Sequence, residues 1–182
     1  MDTLCRLMSP DLPITIEPKR LARNGETLAG QYAIHEMQRL GGLLHDHSGQ
    51  VLFRLEFSMD KRQNIPFIRG KIEAQVNITC QRCLSCMEFR INNPVHLAIA
   101  SDRAGSLPLS NEYEPLQIEE ESISLQGLIE DELILAIPIS AMHNADECNA
   151  TELLNAINNT TGNNPFAVLD KLARQSRTNR RT

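Results

Sequence analysis

Val51-Leu52-Phe53-Arg54-Leu55-Glu56-Phe57-Ser58-Met59-Asp60 places Val51, Phe53, Leu55, Phe57 and Met59 at every second position. A period of two belongs to an extended chain whose successive side chains point to opposite faces, so this stretch is a strand with one buried face. The pattern returns downstream. Ile72, Ala74, Val76 and Ile78 alternate with Lys71, Glu73, Gln75, Asn77 and Thr79. Phe89, Ile91, Val95, Leu97 and Ile99 form a third stripe, with Pro94 on the opposite face. Proline has no N–H for a ladder and therefore predicts an edge or a bulge there. Three successive alternating strands joined by short links imply an antiparallel sheet with one wet face, a meander that could close toward a barrel.

The flanks supply the cover for that sheet. Ser124 stands at a helix start, and Leu125, Leu128, Ile129, Leu133 and Ala136 follow at helical spacing until Pro138 ends the run. This is the main helix, expected over the apolar face, with Glu130, Asp131 and Glu132 mainly on its wet side. Upstream, residues 12–16 read as a short strand with Leu12, Ile14 and Ile16 on one side. Residues 19–23 read as a helical turn, 27–33 as a strand, and 35–40 as a short helix stopped by Gly41-Gly42. Residues 101–113 read as loop, and 116–118 as a further short strand. Residues 149–164 are rich in Asn and Thr and read as a flexible linker with one helical turn. Asn164-Pro165 then opens a last short helix bearing Phe166, Leu169 and Leu172 on one side, before a basic tail. The fold class is thus α+β. Residues 1–148 form one domain, and 149–182 carry the linker, an amphipathic helix and the tail.

With 182 residues, 41% of them apolar, few aromatics and no Trp, the core must be built mostly from Leu, Ile and Val. No apolar run approaches the ~20 residues of a membrane-spanning helix. The start, Met1-Asp2-Thr3-Leu4-Cys5-Arg6, has no basic region followed by an apolar stretch, so a cytoplasmic location is expected and the Asn-x-Thr sequons at Asn149, Asn158 and Asn159 read as chance matches.

Charge is unevenly laid out. Residues 1–110 carry thirteen Lys/Arg and eleven Asp/Glu, residues 111–160 eleven acids and no Lys or Arg, and residues 161–182 five bases and one acid. An acidic middle repels phosphate, so a broad RNA-wrapping face is not expected. Only the tail, with Lys171, Arg174, Arg177, Arg180 and Arg181, is suited to loose phosphate contact. Glu119-Glu120-Glu121 and Glu130-Asp131-Glu132 read first as solvated faces, and second as a surface that docks a basic partner.

The most chemically specific feature is Cys80-Gln81-Arg82-Cys83, set where the second clear strand meets the third. A CxxC at a hairpin tip turns two thiolates toward one point, which suits tetrahedral zinc. His143 and Cys148 follow the main helix with four residues between them, so Cys80, Cys83, His143 and Cys148 would make a closed structural site, with Cys86 as a rival ligand. The plainer reading is small apolar side chains in a turn. A thioredoxin-like redox pair is disfavoured, because that motif opens a helix and the residues here lead into a strand. His45 and His47 lie in a Gly- and Asp-containing loop that reads as a surface turn; His35 and His96 read as solvated. Cys5 reads as a stray thiol. No nucleophile motif, phosphate loop or carboxylate pair with a defined role is present, and a zinc hydrolase would need an open metal position and a general base.

Taken in order, Cys80-Gln81-Arg82-Cys83, Tyr113-Glu114-Pro115, the stretch Leu128-Ile129-Glu130-Asp131-Glu132-Leu133-Ile134-Leu135-Ala136-Ile137-Pro138 and the closing Asn164-Pro165-Phe166-Ala167-Val168-Leu169 closely resemble the bacterial YceD family, the large ribosomal RNA subunit accumulation proteins. The likeness runs from about Leu12 to Leu172. It implies a non-catalytic role in synthesis, processing or stability of large-subunit (23S) ribosomal RNA. It also implies a Cys or His pair after the main helix, matching His143 and Cys148, whereas Cys86 is not a usual position. Two modes of action follow as expectations. In one, a ribosome-assembly factor works through protein contacts, with Glu130, Asp131 and Glu132 facing a basic ribosomal protein and Phe166 and Leu169 docking into a partner. In the other, a zinc-structured module touches precursor ribosomal RNA through the basic tail. Neither involves a membrane or a small-molecule substrate.

Overall fold

The computed structural model describes residues 12–60, 65–101 and 112–159. In chain order the elements are β1 (Thr15–Ile16), α1 (Pro18–Asn24), β2 (Thr27–Ala33), a 3-10 turn (Ile34–Glu36), α2 (Gln38–Gly41), β3 (Gln50–Met59), β4 (Pro66–Thr79), β5 (Cys86–Ser101), β6 (Glu114–Ile118), β7 (Ile123–Ser124), α3 (Leu125–Ala136) and α4 (Thr151–Asn159). The chain divides after Met142 into two compact units. The sheets and α1 to α3 belong to the first unit, and α4 to the second.

The two-residue periodicity sets the sheet. In β3, Val51, Phe53, Leu55 and Phe57 are buried while Leu52, Arg54, Glu56 and Ser58 are exposed. β2, β3, β4 and β5 pair antiparallel in sequence order, with β3 and β4 in register from Val51 opposite Ala74 to Met59 opposite Pro66. Gly70 lies opposite Leu55, and a Cβ there would fall 2.0 Å from the Arg54 carbonyl oxygen, so only glycine lets β4 approach β3 this closely.

The sheet departs from a meander at its last strand. β6 runs parallel to β5, from Leu97 opposite Glu114 to Ser101 opposite Ile118. The order β2-β3-β4-β5-β6 leaves two ends, so the sheet is open and the barrel expectation is not met. At Pro94 the ladder to β4 continues unbroken from Phe67–Ala98 to Thr79–Cys86, so there is no bulge. β6 reaches only residues 97–101 of β5, which makes Pro94 locally an edge residue, as its missing N–H requires.

α3 closes the inner face. The Ser124 hydroxyl accepts the Gly127 N–H at 3.0 Å, and Ile137 leaves the helix in an extended conformation (φ −76°, ψ 125°) just before Pro138. Leu125, Leu128, Ile129 and Leu133 are buried together with Val51, Phe53, Leu55, Ile72, Val76, Ile91 and Val95. Each such side chain contributes about 1.5–3 kcal/mol of burial before entropy is counted. α1 begins with Pro18 and stops at Gly25, whose left-handed φ of 66° a β-carbon would strain.

Three local expectations need correction. Ile14 is not buried with Ile16: it is 84% exposed, at a bend just before β1 that interrupts the alternation. The segment expected as linker contains the nine-residue helix α4. Glu152, Leu153, Leu154, Ala156 and Ile157 favour helix, and that preference outweighs the flanking Asn and Thr. The third concerns Glu130, expected on the wet side and only 7% exposed. One of its oxygens accepts the backbone N–H of Arg39 at 2.8 Å and of Leu40 at 3.0 Å, and the other meets the Arg39 guanidinium at 3.0 Å. The carboxylate thus takes up backbone donors at the start of α2 that have no partner within that helix.

Glu130→Ala should therefore leave those donors buried without an acceptor. A loss of about 3 kcal/mol is expected in urea unfolding, at the low end for a broken buried pair because Arg39 is half exposed. Glu130→Gln, which keeps one acceptor oxygen, should lose about 1 kcal/mol.

Candidate metal centre

The link from β4 to β5 is a tight knuckle. The Cys80 N–H donates to the Ser85 carbonyl at 2.9 Å, and the Leu84 N–H returns to the Cys80 carbonyl at 2.9 Å. Leu84 takes a left-handed φ of 60°. A branched residue held there stores about 1–3 kcal/mol of strain, a sign that the turn geometry is imposed by its surroundings. The segment after α3 comes to the same place, since the Gln81 N–H donates to the Ala141 carbonyl at 2.8 Å and Ala141 is buried. His143 is two residues further on. From His143 onward the chain makes its own turn. The Glu147 N–H donates to the Asn144 carbonyl at 3.1 Å, and the Thr151 N–H to that of Cys148 at 3.0 Å, leading into α4.

One ligand atom from each of Cys80, Cys83, His143 and Cys148 lies within 4.8 Å of the others. Cys80 is fully buried and Cys148 is 6% exposed. Zinc bonded to sulfur at ~2.3 Å holds tetrahedral ligands about 3.8 Å apart. Three sulfurs and one imidazole are a donor set that zinc favours, and the cluster could hold a metal ion. Cys86 is exposed in β5 and stands outside the cluster.

The family model for "Large ribosomal RNA subunit accumulation protein YceD" matches residues 68–173. A relative carrying that same name, from Haemophilus influenzae (strain ATCC 51907 / DSM 11121 / KW20 / Rd), is 31% identical over 174 residues, covering 88% of this chain and 95% of its own. The chain belongs to the YceD family. No solved structure matches it. The YceD match takes in the knuckle, α3 and the segment 164–169, the stretches that carried the resemblance in the sequence.

The remaining site expectations fare unequally. Of the acidic triplet, Glu130 is an internal group of the fold. Asp131 pairs with Arg39 at 2.6 Å, and the bonds to Asp131 and then Glu130 raise the guanidinium above its usual pKa. Glu132 is half buried, accepting from Asn93 Nδ2 at 3.0 Å. Sequence reasoning missed Arg39. The absence of Lys and Arg from residues 111–160 was the available signal, because any cation for this helix had to come from elsewhere in the chain. The loop at His45 and His47 is the expected surface turn. Asp46 accepts from both the hydroxyl and the N–H of Ser48 and from Asn77, bonds that hold its carboxyl down at about 2. Phe166, Leu169, Lys171, Arg174, Arg177, Arg180 and Arg181 lie outside the described residues.

Burial raises the Glu132 carboxyl above its ordinary 4.5, against the bond from Asn93 and with help from Glu114 and Asp131. The folded chain then holds this proton more readily than the unfolded chain. Stability rises as pH falls through the raised folded value toward 4.5, and that gain is absent at neutral pH. Glu132→Gln should raise Tm at pH 7, and the gap to the parent should close as the pH is lowered to about 4 in a thermal-melt series.

Proposed function

We propose that this chain supports the accumulation of large-subunit ribosomal RNA as a non-catalytic factor that works through protein contacts in the cytoplasm. The observation that carries the reading is the near full-length match to a relative named as a large ribosomal RNA subunit accumulation protein. The charge layout supports contact with a basic ribosomal protein or another assembly component rather than with naked RNA, since the acidic segment 111–160 opposes phosphate. Among the described residues no helix is long and apolar enough to cross a membrane. In cells depleted of the protein, the ratio of large- to small-subunit ribosomal RNA should fall and the intact gene should restore it. An unchanged ratio overturns the reading.

Within that reading the cluster of Cys80, Cys83, His143 and Cys148 holds one structural zinc. Four protein ligands fill a tetrahedral ion and leave no position for a reactive water, which accords with a stitching role and not with hydrolysis. Protein purified under reducing conditions should contain about one zinc per chain. Cys83→Ser should lower that content, and a chelator should lower Tm in the parent more than in the variant. Absence of zinc after addition of the metal would remove this part of the proposal.

A further inference from the structure

β6 is the last strand of its sheet, and among the described residues no strand lies on its far side. An open edge presents backbone N–H and C=O groups that can pair with another chain. Beside β6, between it and α3, runs an open groove of about 400 Å³. Its apolar floor is Leu116, Ile118, Ile123 and Leu128. The first three are only partly buried, so the core is incompletely covered along this line. Glu119, Glu120 and Asp131 stand among the lining residues, and all three are exposed.

We propose that this groove and the open edge of β6 receive an extended, lysine- or arginine-rich segment of a partner protein. The inference rests on the reading that the protein works through protein contacts, and it names the surface and the chemistry of the partner. The apolar floor asks for aliphatic side chains at alternate positions, and the rim asks for cations between them. An extended strand supplies both from its two faces. The five residues of β6 match about 16 Å of added strand. Alternative occupants meet an electrostatic barrier. A second copy would set one acidic rim against another, and a nucleic acid would set phosphate against Glu119 and Glu120.

The test is fluorescence anisotropy on the full chain, with a labelled decapeptide of alternating lysine and valine as probe. A glutamate–valine decapeptide and a single-stranded RNA decamer serve as comparisons. The lysine peptide should bind, weakening steeply with salt, and the other two should not. E119K/E120K, on exposed side chains, should weaken binding at least tenfold, as should Gln117→Arg at the groove. Glu88→Lys, on the opposite face of the sheet, should leave it unchanged. Equal binding to the parent and both groove variants, or RNA binding that is lost with them in place of peptide binding, overturns the proposal. In cells, an E119K/E120K allele that restores the ribosomal RNA ratio as fully as the parent gene also overturns it, while leaving the broader reading intact. A ratio that depletion does not change sinks the broader reading, and the anisotropy result still decides whether the groove binds basic peptide.

Discussion

A carboxylate withdrawn from water on the inner side of a helix must be met by donors, and at Glu130 these are the Arg39 and Leu40 N–H groups and the Arg39 guanidinium. The contact joins residues some ninety positions apart and fixes where α3 lies over the sheet and how it is rotated. Ridge packing of Leu128, Ile129 and Leu133 would tolerate a small slide of the helix; a hydrogen-bonded carboxylate tolerates much less. The rotation of α3 in turn sets where its C-terminal end points. There the chain passes Ile137 and Pro138, reaches Ala141, and bonds the Gln81 N–H at the hairpin knuckle.

What could be read in the sequence follows from the range of each interaction. The strands at 50–59, 66–79 and 86–101 were legible because alternation is local and one face is buried along nearly its whole length. The cap at Ser124 and the stop before Pro138 are local as well. The parallel return of β6 was not legible, because strand direction after a loop depends on which edge is open, and no short-range pattern records that. Glu130 was misplaced for a related reason. In a helix, position 130 adjoins the buried Ile129 and sits one turn from Leu133, so the boundary between wet and dry faces falls through it. Only a partner ninety residues upstream decides its side. The CxxC at 80–83 was legible from spacing as a metal half-site, whereas spacing left Cys86 a rival ligand, and it was the family resemblance that favoured His143 and Cys148.

The acids of residues 111–160 therefore divide into groups with different physical standing. Glu130 is satisfied internally, Asp131 shares the cation that satisfies it, and Glu132 is half withdrawn and held above its ordinary protonation range by burial. Glu119, Glu120 and Glu121 stay in water. No Lys or Arg within the segment offsets them, and Arg39, which is bonded to α3, is already committed to Glu130 and Asp131. The field along β6 is thus set by carboxylates that the fold does not need for its own stability. Charge kept beside partly covered Leu116 and Ile118 has two effects. It disfavours pairing of an open strand edge with its like, and it favours an incoming chain of opposite sign.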